Sequence, residues 1–245
     1  METLAAVGLT GLLAYLLYDG KIEAPAGSRK RLCDYYAAGS VFEPIDDALR
    51  RGIRVLEVHV YSDENDQPVV AKKSLTEGYD YVSDNVSFES VCVSIANDAF
   101  PSKDPCVLSI VSHTDKTVTM NKVAYHLKTT VRQHLTDEKD IGVTPIDLLA
   151  NKLILVSGGN IHGTDLEQLI NLDWNSSSVR RLTYQQGLYP RDVEELKKFS
   201  KEGIVLVAAD PEFSPVSVNP YTPVAYRCQW NFYLRGPGGF LERKE

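Results

Sequence analysis

Apolar residues gather in four short runs along the chain, at residues 53–61, 105–111, 152–157 and 204–208. Runs of this length, rich in Val, Ile and Leu, predict strands buried on both faces, as in a parallel sheet. Between them the apolar positions recur at helical spacing. Val41, Ile45, Ala48 and Leu49 predict a helix over 41–51, closed at Gly52. Helical patterns follow over 86–100, where polar residues around Ser87 suit a start, and over 117–135. Shorter helices are expected at 145–150 and 165–172, and a charged one at 191–201 before Gly203. Residues 63–67 read as a polar turn, 68–71 as a short strand, 72–85 as a loop and 228–234 as a last strand. Strands alternating with helices predict an α/β fold around a parallel sheet.

Length then narrows the architecture. The chain has 245 residues, and a (β/α)8 barrel would use nearly all of them. Hydrophobic content of 43% and charged content of 24% are those of an ordinary globular protein. A net charge of −7 argues against a nucleic-acid partner, which calls for a basic face. Cys33, Cys92, Cys106 and Cys228 are widely spaced and form no CxxC pair, which argues against a zinc site. Cys92 and Cys106 sit in apolar runs and read as buried thiols.

Residues 4–18 differ in kind: they contain no charge. As a helix they would reach about 22 Å, short of the roughly 30 Å of a hydrocarbon core. No basic residue precedes them, so the basic region of a signal peptide is missing. A membrane anchor or insertion segment is the favoured expectation, and a buried N-terminal helix the alternative. Lys21, Arg29, Lys30 and Arg31 follow, which by the positive-inside rule leaves the body on the cytoplasmic side. The expected organisation is an apolar segment at 1–20, a linker or entry segment at 21–40, and a barrel at 41–245.

Chemistry concentrates on one strand. Glu57 and His59 are two apart, so both point to the same face. The segment ALRRGIRVLEVHVY (48–61) resembles the A-L-x-x-G-C-R-x-x-E-L-D-x-W signature of phosphoinositide-specific phospholipase C, a calcium-dependent barrel enzyme. QPVVAKKSLT (67–76) resembles that family's P-V-V-Y-H-G-x-T-L-T, and NDAFPSKDPCVLSIVSHTD (97–115) its A-F-x-x-S-x-Y-P-V-I-L-S-L-E-N-H-C. NKLILV (151–156) is similar to its K-I-L-I-K strand, and VNPYTPVAYRCQWNFY (218–233) to a stretch of the barrel's second half. The matches lie in family order. The resemblance implies a TIM-type (β/α)8 barrel of the phospholipase C-like phosphodiesterase superfamily.

Carried over position by position, the resemblance also implies a degenerate site. The family needs two histidines for acid–base chemistry and a calcium ion held by carboxylates. No histidine precedes His59, so the first position is empty, and the second falls on Lys72. Glu57 keeps the calcium glutamate, but His59 replaces its aspartate partner and Val111 a second glutamate. His113 matches a histidine outside the catalytic pair. The expected ligand set for calcium is therefore incomplete, with no catalytic residue and no metal assigned.

Three readings of Glu57 and His59 stay open: a rebuilt catalytic pair, a site for a softer metal with His113, and an internal salt bridge with Lys72 as replacement cation. The last is favoured. Lys72, Lys152 and Arg181 are the phosphate-binding candidates. His126 and His134 are expected on a solvated helix face, His162 in a Gly-rich loop after a strand, and Trp230 and Tyr233 in the core. The leading functional expectation is a membrane-associated, catalytically inactive barrel serving as a structural or binding module. A protein partner, or a membrane lipid or phosphoinositide headgroup, would fit it. The alternative is an active phosphodiesterase of the phospholipase C or glycerophosphodiester type with a rearranged site. A single-domain barrel also suits a microbial or viral source.

Overall fold

A computed structural model describes residues 30–41, 43–71, 85–208, 219, 221–234 and 238–242. Its centre is a barrel of eight parallel strands: β1 (Tyr35–Val41), β2 (Val55–Ser62), β5 (Cys106–Ser112), β6 (Leu153–Ser157), β7 (Leu172–Asp173), β8 (Val179–Leu182), β9 (Ile204–Val207) and β10 (Trp230–Asn231). They follow one another round the barrel in chain order, as the TIM-type fold requires. Hydrogen bonding runs without a break from β8 through β9, β10, β1, β2, β5 and β6 to β7. Among the described residues no ladder joins β7 to β8, so the barrel is nearly closed. A hairpin of β3 (Pro68–Val70) and β4 (Val86–Ser87) extends β2 in antiparallel fashion, and β11 (Phe240–Glu242) lies antiparallel to β1.

Alternation along each strand separates two cores. Val55, Val107, Ile154, Val156, Leu206 and Trp230 fill the barrel. Leu56, Val58, Leu108, Ile110 and Leu155 face outward. They pack against Phe88, Cys92 and Ile95 of α2 (Phe88–Asp98) and Met120, Val123 and Leu127 of α3 (Thr117–Thr130). Burying each large aliphatic side chain stabilises the fold by about 1.5–3 kcal/mol, so β2, β5 and β6, covered on both faces, form the firmest part of the wall. Ser87 caps α2 by accepting from the Ser90 amide at 3.1 Å. The short α1 (Ile45–Arg50) carries Asp46 and Asp47 in its first turn, where they suit the helix dipole. The remaining helices are α4 (Tyr184–Leu188), α5 (Val193–Phe199) and α6 (Tyr221–Ala225).

Several sequence expectations shift. Residues 35–41, read as the end of an entry segment, are the first barrel strand, and the helix expected from 41 begins only at Ile45. Small residues hide this strand: Ala37 and Ala38 are buried, and a Cβ on Gly39 would meet the Phe232 ring at 2.5 Å. The helix expected at 165–172 shrinks to one 3-10 turn, Glu167–Leu169, before β7. No helix among the described residues is long and apolar enough to cross a membrane. The apolar stretch at 4–18 lies outside the described residues.

Candidate functional site

The β2–β5 register pairs Glu57 with Ser109 and His59 with Val111. Both members of the Glu57–His59 pair are buried, at 2% and 3% exposure. Four polar groups meet there. Ser109 Oγ donates to Glu57 Oε2 at 3.0 Å. His59 Nε2 lies 3.4 Å from Glu57 Oε1, and its Nδ1 lies 2.9 Å from His113 Nε2. Since His113 comes directly after β5, at the C-terminal ends of the strands, the chain Ser109–Glu57–His59–His113 runs from the barrel interior to its functional rim. Tyr61 lies flat against His113, with ring centroids 4.5 Å apart and planes 5° from parallel.

A fifth group arrives from across the barrel. Arg181 of β8 donates from Nη2 to Glu57 Oε1 at 3.0 Å. Its guanidinium also sits 5.3 Å from the centroid of Trp174, the residue after β7, within cation–π range. Burial pushes the Glu57 carboxyl up, but the His59 hydrogen bond and the Arg181 charge outweigh it and hold the group below its ordinary value. The site is therefore built around an ionised carboxylate with a protein-borne counter-cation.

A family model of the phosphatidylinositol-specific phospholipase C X domain matches residues 33–156, just over half of the chain. The chain belongs to the phosphatidylinositol-specific phospholipase C family. The barrel is also similar to that of PLC21 from L. pealei, with a TM-score of 0.67 and 16% identity over 90% of this chain and 37% of the other. PLC21 from S. officinalis gives a TM-score of 0.67 and 17% identity, over 90% of this chain and 36% of the other. The chain thus spans little more than a third of the length of either PLC21. A calcium-dependent phosphoinositol-specific phospholipase C from Pseudomonas sp. gives a TM-score of 0.51 and 10% identity, over 84% of this chain and 91% of that one. No curated protein sequence matches. At these identities the structural likenesses establish the fold alone, a TIM-type barrel.

Within this phospholipase C-like barrel the predicted residues separate. Glu57, His59 and His113 come together, with Val111 beside His59 on the neighbouring strand. Lys72 lies outside the described residues. Lys152 directly precedes β6, and its carbonyl accepts from the amide of Cys106, the first residue of β5. It is therefore at the N-terminal end of the barrel, away from the pair. Arg180, next to Arg181, points the other way: it grips Glu195 with two bonds of 2.6 and 2.7 Å and stacks on Phe199. Alternation along β8 explains the split, and the 124-residue separation from Glu57 explains why the pairing of Arg181, a phosphate-binding candidate from sequence, is not visible locally.

The other singled-out residues have structural partners. His162 pairs with Glu167 at 2.9 Å, which raises its pKa. His134, expected in solvent, stacks on Phe100 with centroids 4.0 Å apart and contacts the Asn151 carbonyl. Trp230 is fully buried in the barrel, and Tyr233 leans on Tyr184. All four cysteines are buried, and none is in a disulfide. Beside the site opens a cavity of about 630 Å³, bordered by Glu57 and His59 and by Glu43, Asp46, Ala71 and Ser90. Its described walls carry acidic side chains and no lysine or arginine.

Proposed function

We propose that this barrel has given up calcium-dependent phosphodiester hydrolysis and serves as a membrane-associated structural or binding module. One observation carries the reading: Glu57, at the position of the family's calcium glutamate, faces the Arg181 guanidinium at 3.0 Å. A hard cation such as calcium takes six to eight oxygen ligands, several of them carboxylate. Among the described residues the neighbouring positions offer His59 and Val111 in place of carboxylates. The Glu57 carboxylate is itself already bonded to Arg181, His59 and Ser109. No group of three or more His, Cys, Asp or Glu side chains suited to a metal occurs among the described residues. The described donor set does not fit calcium.

The family's relation to phosphatidylinositol and the charge-free stretch at 4–18 support a lipid surface as the place of action. The acidic walls of the 630 Å³ cavity speak against capture of an anionic headgroup by the described residues. Vesicle co-sedimentation combined with hydrolysis of phosphatidylinositol tests the proposal. Full-length protein should pellet with vesicles and release no inositol phosphate, whether calcium, magnesium or zinc is present. Metal-dependent turnover that Glu57→Gln abolishes would remove the proposal.

A second reading has its own support. The Glu57–His59–His113 chain has the form of a carboxylate orienting an imidazole, which could serve as an acid–base relay without calcium. It predicts metal-independent cleavage of a phosphodiester that Glu57→Gln and His113→Ala both suppress.

A further inference from the structure

We infer that the N-terminal end of the barrel, around Val143 and Leu148, is the face that rests on a lipid bilayer, with the rim that carries His113 turned away from it. This rests on the membrane association proposed above and adds its orientation. The described chain enters at this end. Leu32 and Cys33 donate their amides to the carbonyls of Thr144 and Gly142 at 3.0 and 2.9 Å, and the Ile146 amide donates to the Lys30 carbonyl at 3.0 Å. Residues 30–33 therefore lie directly against 142–146. The first stretch leads into β1, and the second leads through the 3-10 turn Ile146–Leu149 into β6. Both mark the starts of parallel strands, whose other ends form the rim.

On this entry face Leu148 is 57% exposed, the most of any aliphatic side chain among the described residues, and Val143 is 39% exposed. Single exposed apolar side chains are ordinary. What gives these two a partner is the chain before residue 30. Residues 4–18 carry no charge, and the eleven residues 19–29 tether them to Lys30. Such a tether reaches at most about 40 Å. The eight residues of β2 alone are about 26 Å long. Carrying 4–18 to the rim would take most of the tether, drawn straight along the outside of the barrel and past the rim loops. At the entry end no such path is needed, and Val143 and Leu148 meet the same hydrocarbon boundary as the segment. Charges on this face are mixed: exposed Lys103 precedes β5 beside Asp104, and Asp147 adjoins Leu148. Apolar contact rather than lipid charge therefore holds the face, and a neutral bilayer suffices. The Glu57–His113 site then opens to the aqueous phase.

The four native cysteines are buried, so a single introduced cysteine takes a fluorophore selectively. Leu148→Cys is compared with Val118→Cys, which is 47% exposed at the start of α3, shortly after the rim residue His113. Labelled full-length protein is mixed with phosphatidylcholine vesicles that carry a doxyl-lipid quencher. The label at 148 should lose most of its fluorescence, and the label at 118 should keep it. Sedimentation of the same samples separates the two claims. Protein that pellets but is quenched at 118, or at neither position, keeps the membrane association and overturns the orientation. Protein that does not pellet removes both. Shielding of the 148 label from iodide before vesicles are added would show the face covered by residues 4–18 of the same chain or by a second copy, and would also overturn the inference.

Discussion

Replacing Arg181 by methionine would strip the buried Glu57 carboxylate of its cation while keeping most of the side-chain volume. At 3.0 Å and an effective dielectric of about 20, the direct attraction is about 5 kcal/mol. Desolvation of both ions offsets part of this, and removing one member of a buried pair typically costs about 3–5 kcal/mol. The Arg181 side chain is 25% exposed, and Ser109 and His59 stay in place, so the lower end applies. We expect a loss of about 3 kcal/mol in urea unfolding at neutral pH. Arg180→Met, which breaks the more exposed pair with Glu195, should cost at most about 1 kcal/mol.

The pH dependence fixes the mechanism. In the wild type Glu57 is held below its ordinary value of 4.5. Its stabilising contribution is therefore complete above that value and is lost as the pH falls through the lower native value. In Arg181→Met burial is less opposed, so the carboxyl titrates higher and that acid-range loss disappears. The gap between the two proteins should narrow in acid. Adding Glu57→Gln to Arg181→Met should recover part of the loss, because the stranded charge is gone. A cost below about 1 kcal/mol, or no recovery in the double variant, would refute a buried ion pair as the organiser of this site.

Two further expectations follow from the packing. Gly158→Ala places a Cβ 2.2 Å from Trp174 Nε1, so it should destabilise the protein by about 1–3 kcal/mol in the same unfolding assay and shift the Trp174 fluorescence. The thiols of Cys92, Cys106 and Cys228 are each pushed up to about 12 by burial, so a thiol reagent near neutral pH should label none of them in native protein and all of them in denaturant.

How much of this was legible in the sequence follows from strand length and contact range. The runs that became β2, β5, β6 and β9 announce themselves because both faces are buried, so apolar residues dominate them despite Glu57, His59 and Ser109. β1 is built from Ala and Gly where the barrel wall approaches Phe232, and such residues carry little hydrophobic signal. β7 and β10 are two residues each, too short for any period. At the site, the shared face of Glu57 and His59 follows from spacing alone. His113 needed the β2–β5 register to join them. Arg181 needed the closure of the barrel, since nothing local marks a side chain that will cross it. Arg181 is the cation that meets Glu57 among the described residues, and Lys72, to which the sequence reading assigns that role, lies outside them.

The central claim is that an internal cation has taken the place of calcium at Glu57. Phosphatidylinositol turnover measured across a calcium titration, with wild type beside Glu57→Gln, tests it most directly. The account predicts no inositol phosphate release above background at any calcium concentration and no difference between the two proteins. Calcium-dependent turnover in the wild type that vanishes in Glu57→Gln would contradict it.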